Sequence, residues 1–361
     1  MKFKNLFFII YTLLILSTFN IKSETLDGRT NIIYDSHNHI FQNANKNYIY
    51  GFVQLDKGFT LTAASKSNLP SGLYFDGCIP LSGGIDLRET NTLTLLKDIF
   101  FDNSVTFSSG GNIYGYDKAI ILNGDLSIPA NIVLHFNGRL SINGNGHTLS
   151  IGENSQLFID ANTTLTLKNI VIKNNKNFEG NPCVNCAANN SILALDNVIL
   201  NPINDFYFNR GSIFFHNDVA FTGTSVFIYR SCQPSFITSG GILYFDIETT
   251  FDFRPSTTGT PGLLAKDLLI MQDASSQLYL DGCSLKTTMT GLRLTKGQLI
   301  FDNKISITSA AQLQLKSTKI CTNQYLGEFA RSVNWSPNGR YLAVAGLYGT
   351  TDLIIYYFNG S

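Results

Sequence analysis

The sequence predicts an all-β protein in which short strands stack into a solenoid, followed by a short C-terminal segment of different character. From about residue 71 to 320, apolar residues alternate with polar ones, which is the two-residue period of a strand with one buried face. Gly, Asn and Asp separate these runs, and no convincing amphipathic helix interrupts them. One strand–elbow–strand pattern recurs along the same stretch, which favours stacked equivalent turns.

Residues 1–23 have the features of a secretory signal peptide. Lys2 and Lys4 are followed by an apolar run from Leu6 to Leu16, and Ser23 is a small residue before the expected cut. The run is shorter than the ~20 residues that span a bilayer, so we expect cleavage rather than anchoring. The sequence therefore predicts an exported protein, located in the periplasm, at the cell surface or outside the cell, with no membrane span after cleavage.

The composition limits the classes of partner. Of 361 residues, 44% are apolar and 14% are charged, and the formal net charge is zero. Because no basic patch stands out, the electrostatic attraction that dominates nucleic-acid binding is missing, and we expect no nucleic-acid partner. The chain can still bury a sizeable core, with a surface composed largely of Asn, Ser, Thr and Gly.

We interpret residues 24–70 as an irregular lead-in or cap and residues 71–321 as the repeats. The clearest copy is Leu165–Ile172, a short apolar alternation with an elbow at Asn169. The other copies begin at Leu73, Leu193, Ile213, Leu278 and Leu299. Elbows favour Asn or Gly because these residues tolerate left-handed backbone. We expect one polar ladder of elbow residues at a single corner, formed by Asn169, Asn197, Asn217 and Asn303 with Gly77 and Gly282 as substitutes.

A short strand cannot bury its apolar face alone, and stacking equal turns solves this problem. The pattern resembles the right-handed parallel β-helix of pectin-lyase-like proteins and bacterial surface adhesins. That resemblance covers most of the repeat region and implies a parallel solenoid. An antiparallel sandwich or barrel is the alternative, since the Gly-Gly pairs (Gly83-Gly84, Gly110-Gly111 and Gly240-Gly241) would also suit hairpins.

Residues 322–361 change character. The segment Ser332–Gly346, with its Trp-Ser-Pro-Asn-Gly turn, and the apolar run Leu353–Phe358 closely resemble a blade of a WD-repeat β-propeller. A propeller needs ~4–8 blades, so one incomplete blade cannot close a ring. The hypotheses are a chain truncated from a longer propeller protein, which we favour, or a blade that caps the solenoid.

Two local motifs could carry chemistry. Asp35-Ser-His-Asn-His places His37 and His39 on one side of a strand, which resembles the first metal-binding strand of amidohydrolases. That family needs a barrel of alternating helices and strands with further ligands, so we favour a polar loop and expect no metal or other cofactor. Cys183 and Cys186 form a CxxC without a second pair, which predicts a local disulfide or free thiols in a loop.

The remaining cysteines and carboxylates fit the repeat. Cys78 and Cys283 follow Asp-Gly at a position that Ile170 and Val198 occupy elsewhere, which predicts buried thiols. Asp196, Asp281 and Asp302 share a repeat position, so we expect them to form a strip of carboxylates on one outer face, suited to Ca²⁺ or sugar. Among the aromatics, we expect the core to include Phe214, Phe215, Tyr244 and Phe245, and any exposed rings could stack on sugars.

The leading functional hypothesis is an exported, non-enzymatic structural or binding protein that adheres to protein or carbohydrate through a solenoid face. The alternative is a carbohydrate-active β-helix enzyme, a polysaccharide lyase or hydrolase, for which the pattern assigns no catalytic residues. A third hypothesis is a remnant of an interrupted larger protein.

Overall fold

The computed structural model describes residues 98–101, 104–174, 179–255, 261–288, 291–303, 305–307 and 313–322, together with the strand backbone on either side of these ranges. The first strands are β1 Thr25–Leu26, β2 Ile32–Ile33, β3 Phe41–Asn43, β4 Lys46–Tyr50, β5 Phe52–Leu55, β6 Thr60–Ala63, β7 Leu73–Asp76, β8 Gly83–Asp86, β9 Thr92–Leu95, β10 Ile99–Phe101, β11 Val105–Phe107 and β12 Gly111–Leu122. The next are β13 Leu126–Ile128, β14 Val133–Asn143, β15 Thr148–Ile151, β16 Gln156–Ile159, β17 Thr164–Asn174, β18 Val184–Cys186, β19 Ile192–Leu200, β20 Phe206–Phe208, β21 Ser212–Phe221, β22 Val226–Tyr229, β23 Ser235–Ile237 and β24 Ile242–Phe245. The last are β25 Thr250–Phe253, β26 Leu269–Met271, β27 Gln277–Asp281, β28 Ser284–Thr287, β29 Leu292–Leu294, β30 Gln298–Asp302, β31 Ser306–Ile307, β32 Leu313–Leu315, β33 Lys319–Thr322, β34 Ala330–Trp335, β35 Tyr341–Gly346 and β36 Leu353–Tyr357.

The strands form a parallel β-solenoid, and the antiparallel sandwich alternative is wrong. Three faces follow one another along the chain and repeat in every turn. Face A contains β10, the second halves of β12 and β14, the first halves of β17, β19 and β21, and then β23 and β26. Face B contains β11, β13, β15, the second halves of β17, β19 and β21, and then β24, β27, β30 and β33. Face C contains the first halves of β12 and β14, then β16 and β18, and then β20, β22, β25, β28 and β31.

The same parallel pairing extends toward the N-terminus, where β4, β5 and β6 pair with β7, β8 and β9. Helix is almost absent from the described residues, where one 3₁₀ turn occurs at Ala265–Asp267. Across that described part, no helix is long and apolar enough to cross a membrane. The predicted signal peptide, residues 1–23, lies outside the described residues.

The interior is filled by the inward side chains of all three faces. Leu165, Leu193 and Ile213 pair in register on face A and are fully buried. In the C-terminal half the interior becomes a stack of aromatic rings, in which Phe227 lies 4.5 Å from Phe221 and 5.6 Å from Phe251 between ring centroids. Each turn therefore buries the apolar residues of the next, as the repeat predicted.

The strand register shows that the predicted repeat copies do not all occupy equivalent positions in the turn. Leu278 pairs with Leu299 and with Leu243 on face B, whereas Leu165, Leu193 and Ile213 lie on face A. The prediction of one elbow ladder is accordingly wrong. Asn169, Asn197 and Asn217 occupy the corner between faces A and B, and Gly282 and Asn303 occupy the corner between faces B and C. A strand–elbow–strand pattern arises at either corner, because both corners need a residue with positive φ.

At the first corner the ladder itself is present. Asn169 and Asn197 have φ of 48° and 56°, and Asn197 Nδ2 donates to Asn169 Oδ1 over 2.8 Å. Asn169 Nδ2 in turn donates to Asn143 Oδ1 over 3.3 Å. Each amide thus connects two successive turns at a backbone position that few residues tolerate.

Three antiparallel strands, β34, β35 and β36, form the C-terminal sheet. This pairing agrees with the predicted hairpin, but it is common to many β-meanders. The assignment of this segment to a propeller blade therefore stays a prediction.

Candidate functional site

Two of the predicted carboxylates lie side by side on face B. Asp281 and Asp302 pair in register at the ends of β27 and β30. Tyr244 donates its hydroxyl to Asp281 Oδ2 over 2.7 Å, and Tyr279 donates to Asp302 Oδ2 over 2.8 Å. We call Tyr244, Asp246, Tyr279, Asp281 and Asp302 the tyrosine–aspartate strip.

The hydrogen bonds of the strip occupy its carboxylates. Asn303 donates from Nδ2 to Asp281 Oδ1 over 2.5 Å and from its backbone N–H to Asp302 Oδ1 over 3.0 Å. Together with the tyrosine hydroxyls, these bonds give every oxygen of both carboxylates a donor. Burial, then the hydrogen bond to Asp281 and the neighbouring negative charges raise the pKa of Tyr244. The strip therefore offers fixed acceptors and two half-buried rings rather than a loosely held acid or base.

Asp196 does not belong to this strip. It lies on face A, opposite Lys168 on one neighbouring strand and His216 on the other. Burial opposes ionisation of Asp196, but hydrogen bonds from Lys168 Nζ (2.9 Å) and Asn217 Nδ2 (2.5 Å) outweigh it and lower the pKa. This carboxylate is engaged by its own ion pair, which is typical of a surface position between turns.

The cysteine predictions fall in the interior. Cys183 and Cys186 are buried, and their disulfide stays a prediction. Burial raises the pKa of the Cys186 thiol to about 12, against a smaller opposing effect of Arg210. Cys283 is buried and free, as its repeat position predicted, whereas Cys78 lies outside the described residues.

The histidine pair His37 and His39 also lies outside the described residues. Within the ranges that the structure describes, no group of three or more His, Cys, Asp or Glu side chains is arranged to hold a metal ion.

One surface that the sequence analysis did not single out lies on face C. His135, Phe158 and Asn185 pair in register on β14, β16 and β18, and Tyr207 points outward on β20 in the next turn. We call these four residues the aromatic column. The His135 and Phe158 rings are 4.6 Å apart, and the guanidinium of Arg230 lies 5.7 Å from the Tyr207 ring. At the N-terminal end of the column, β12 adds Tyr114 and Tyr116, which are 40% and 57% exposed.

A second line of side chains runs beside the aromatic column. Tyr114 pairs with Asn137 on face C. In later turns, the residues that directly follow the face C strands β16, β20, β22 and β25 are Asp160, Asn209, Arg230 and Arg254. The two arginines have carboxylate partners. Arg230 is paired with Glu179, and Arg254 is paired with Asp252, which is 2% exposed, while Asp160 Oδ2 lies 3.6 Å from His135 Nδ1.

The aromatic column follows from a sequence pattern that can be interpreted only when the strand register is known. Phe158 and Tyr207 each stand between two apolar residues, in Leu-Phe-Ile and Phe-Tyr-Phe. Alternation then forces the middle ring outward when its neighbours are inside.

The same rule corrects the predicted aromatic core. Phe215 and Phe245 are fully buried, whereas Phe214 and Tyr244 lie on the outer surface and are half-buried.

A shallow groove of about 460 Å³ lies where faces B and C meet, lined by Ser127, Pro129, Ser150, Glu153 and Ile203, among others. Its lining offers hydroxyl groups and one carboxylate. This set is too sparse to define a reaction.

Compared with known proteins, the chain matches no protein-family model, no curated protein and no solved structure. Its assignment as an all-β parallel β-solenoid accordingly follows from its own strand pairing.

Proposed function

We propose that this chain is an exported, non-enzymatic protein that binds carbohydrate through the outer surface of its solenoid. The observation that carries the proposal is the aromatic column on face C with its polar flank. Aromatic rings pack against the C–H faces of sugars, while the adjacent amides and guanidinium groups supply hydrogen bonds to hydroxyls. Export is supported by the apolar segment of residues 1–23, and adhesion by the likeness of the repeats to pectin-lyase-like and adhesin solenoids.

The energetics favour a binding role for this surface. Outward Phe and Tyr side chains on a β-face leave apolar area in water, which costs free energy unless a ligand covers them.

Binding to immobilised polysaccharides tests the proposal. The variants Phe158→Ala and Tyr207→Ala should weaken binding by about tenfold each, since an aromatic contact contributes ~1.4 kcal/mol. Phe214→Ala is the matched control, because Phe214 is an outward, half-buried ring on face A. Equal losses in all three variants, or no polysaccharide bound by the unmodified chain, would refute the proposal.

The second candidate is a carbohydrate-active enzyme at the tyrosine–aspartate strip. The observation in its favour is that Asp281 and Asp302 are in register on neighbouring strands, since a pair of adjacent carboxylates is what retaining glycosidases use. The donors to each carboxylate oxygen weigh against it. Release of reducing ends from a polysaccharide, lost in Asp281→Asn and Asp302→Asn, would establish the enzyme and overturn the non-enzymatic proposal.

A further inference from the structure

We propose that the ligand of face C is an uncharged polysaccharide chain that lies along the solenoid axis, with about one sugar unit on each turn. This inference rests on the proposed function and adds the class of ligand and its orientation.

The orientation follows from what each strand presents. β18 and β20 are three-residue strands in which the outer two side chains are buried and the middle one points outward. A ligand running parallel to these strands would meet one outward side chain, either Asn185 or Tyr207. A ligand running across the strands meets the whole column from His135 to Tyr207.

The spacing of the turns suits an extended chain of sugar rings. β14, β16 and β18 are paired and therefore ~4.8 Å apart, so the column spans ~10 Å from His135 to Asn185, and β20, which belongs to a separate sheet, places Tyr207 in the next turn. An extended β-linked hexopyranose chain advances by a comparable distance with each unit. Successive rings can therefore meet His135, Phe158, Asn185 and Tyr207 in turn.

The charges on this face favour a neutral ligand. Arg230 and Arg254 are each paired with a carboxylate, Glu179 and Asp252, and Asp160 lies beside His135. Asp252 also lies opposite Lys286 in register. An acidic polymer would have to compete with Glu179 and Asp252 for the two guanidinium groups.

The polar flank supplies donors that a hydroxyl can use. Arg230 bonds to Glu179 through Nη1, and Arg254 bonds to Asp252 through Nε and Nη2. The remaining N–H groups of the two guanidiniums are available beside the Tyr207 ring. Hydroxyls accept hydrogen bonds from such donors without needing a net charge.

The test is calorimetric titration of the full chain with linear oligosaccharides of increasing length. The neutral probes are cello-, xylo- and chito-oligosaccharides from monomer to hexamer, and the charged probes are oligogalacturonates of the same lengths. We expect affinity for at least one neutral series to rise from monomer to tetramer and then level off. Tyr207→Ala should weaken tetramer binding by about tenfold but leave trimer binding less affected, and Phe214→Ala should change neither.

The outcomes separate the inference from the proposed function. Binding that is sensitive to Phe158→Ala but independent of chain length, or stronger for oligogalacturonates, would overturn the inference and leave carbohydrate binding standing. Binding of none of the neutral or charged series would overturn both. Circular dichroism of each variant confirms that a loss of binding does not reflect a loss of fold.

Discussion

Replacing Asn169 tests whether the elbow is held by its backbone conformation, its side-chain ladder or both. Asn169 has a φ of 48°, donates to Asn143 Oδ1 and accepts from Asn197 Nδ2. Asn169→Ala loses two hydrogen bonds of ~1 kcal/mol each and replaces a residue that tolerates the left-handed region with one that does not, at a cost of ~1–2 kcal/mol. We expect it to lower the free energy of unfolding by about 3–4 kcal/mol.

Asn169→Gly removes the same two bonds but relieves the backbone, so we expect a smaller loss of about 1–2 kcal/mol. Asn185 is the matched control, because it is an asparagine inside the extended strand β18, where its Nδ2 donates to Gln156 Oε1 over 3.3 Å. There the order should reverse, with Gly more destabilising than Ala, because Gly weakens strands.

Urea unfolding followed by far-ultraviolet circular dichroism measures both pairs. Tryptophan fluorescence is unsuitable, because the single tryptophan, Trp335, lies in the C-terminal sheet and not in the solenoid. If Asn169→Gly proved as destabilising as Asn169→Ala, the positive φ would not limit the choice of residue. If both changes were neutral, the ladder would contribute nothing.

Two further predictions concern the interior. Phe227→Ala should destabilise the solenoid by ~3–5 kcal/mol because Phe227 is 2% exposed and surrounded by rings, whereas Phe214→Ala on the outer surface should cost ~1 kcal/mol or less. Equal unfolding midpoints for these two variants would contradict the assigned inward and outward positions. Burial raises the pKa of the Cys186 thiol from 9.0 to about 12. The free energy of unfolding should therefore decline as the pH rises from ~9 toward about 12, because the thiol ionises more easily in the unfolded chain than in the folded one. Unfolding midpoints measured across that range should fall less in Cys186→Ser than in the unmodified chain, and native Cys186 should resist iodoacetamide at pH ~8 while half-exposed Cys232 reacts. Rapid alkylation of native Cys186 would show that the burial is wrong.

Much of the fold could be predicted from local pattern. Two-residue alternation identified strands with one buried face, and the recurring elbow at Asn169 and Asn197 indicated stacked turns. These inferences succeed because side-chain alternation and the tolerance of a left-handed backbone conformation are properties of a few adjacent residues. Cys283 is buried as the pattern predicted, although the register places it at the corner between faces B and C and not at the face B position of Ile170 and Val198.

The candidate site could not be predicted in the same way. The pattern around Asp196 is nearly identical to that around Asp281, yet the two residues lie on different faces of the solenoid. Local sequence specifies that an elbow follows a strand, but it does not specify which corner of the turn that elbow forms. The length of each preceding turn decides this, and those lengths vary along the chain.

The sequence by itself determined the class of fold, the inward positions and the elbow residues, because each depends on the chemistry of neighbouring residues. Tertiary structure alone decided which outward residues meet. His135, Phe158 and Tyr207 are far apart in sequence and become one surface because the register between turns brings them to the same face. That register is set by the packing of the whole interior, to which every turn contributes.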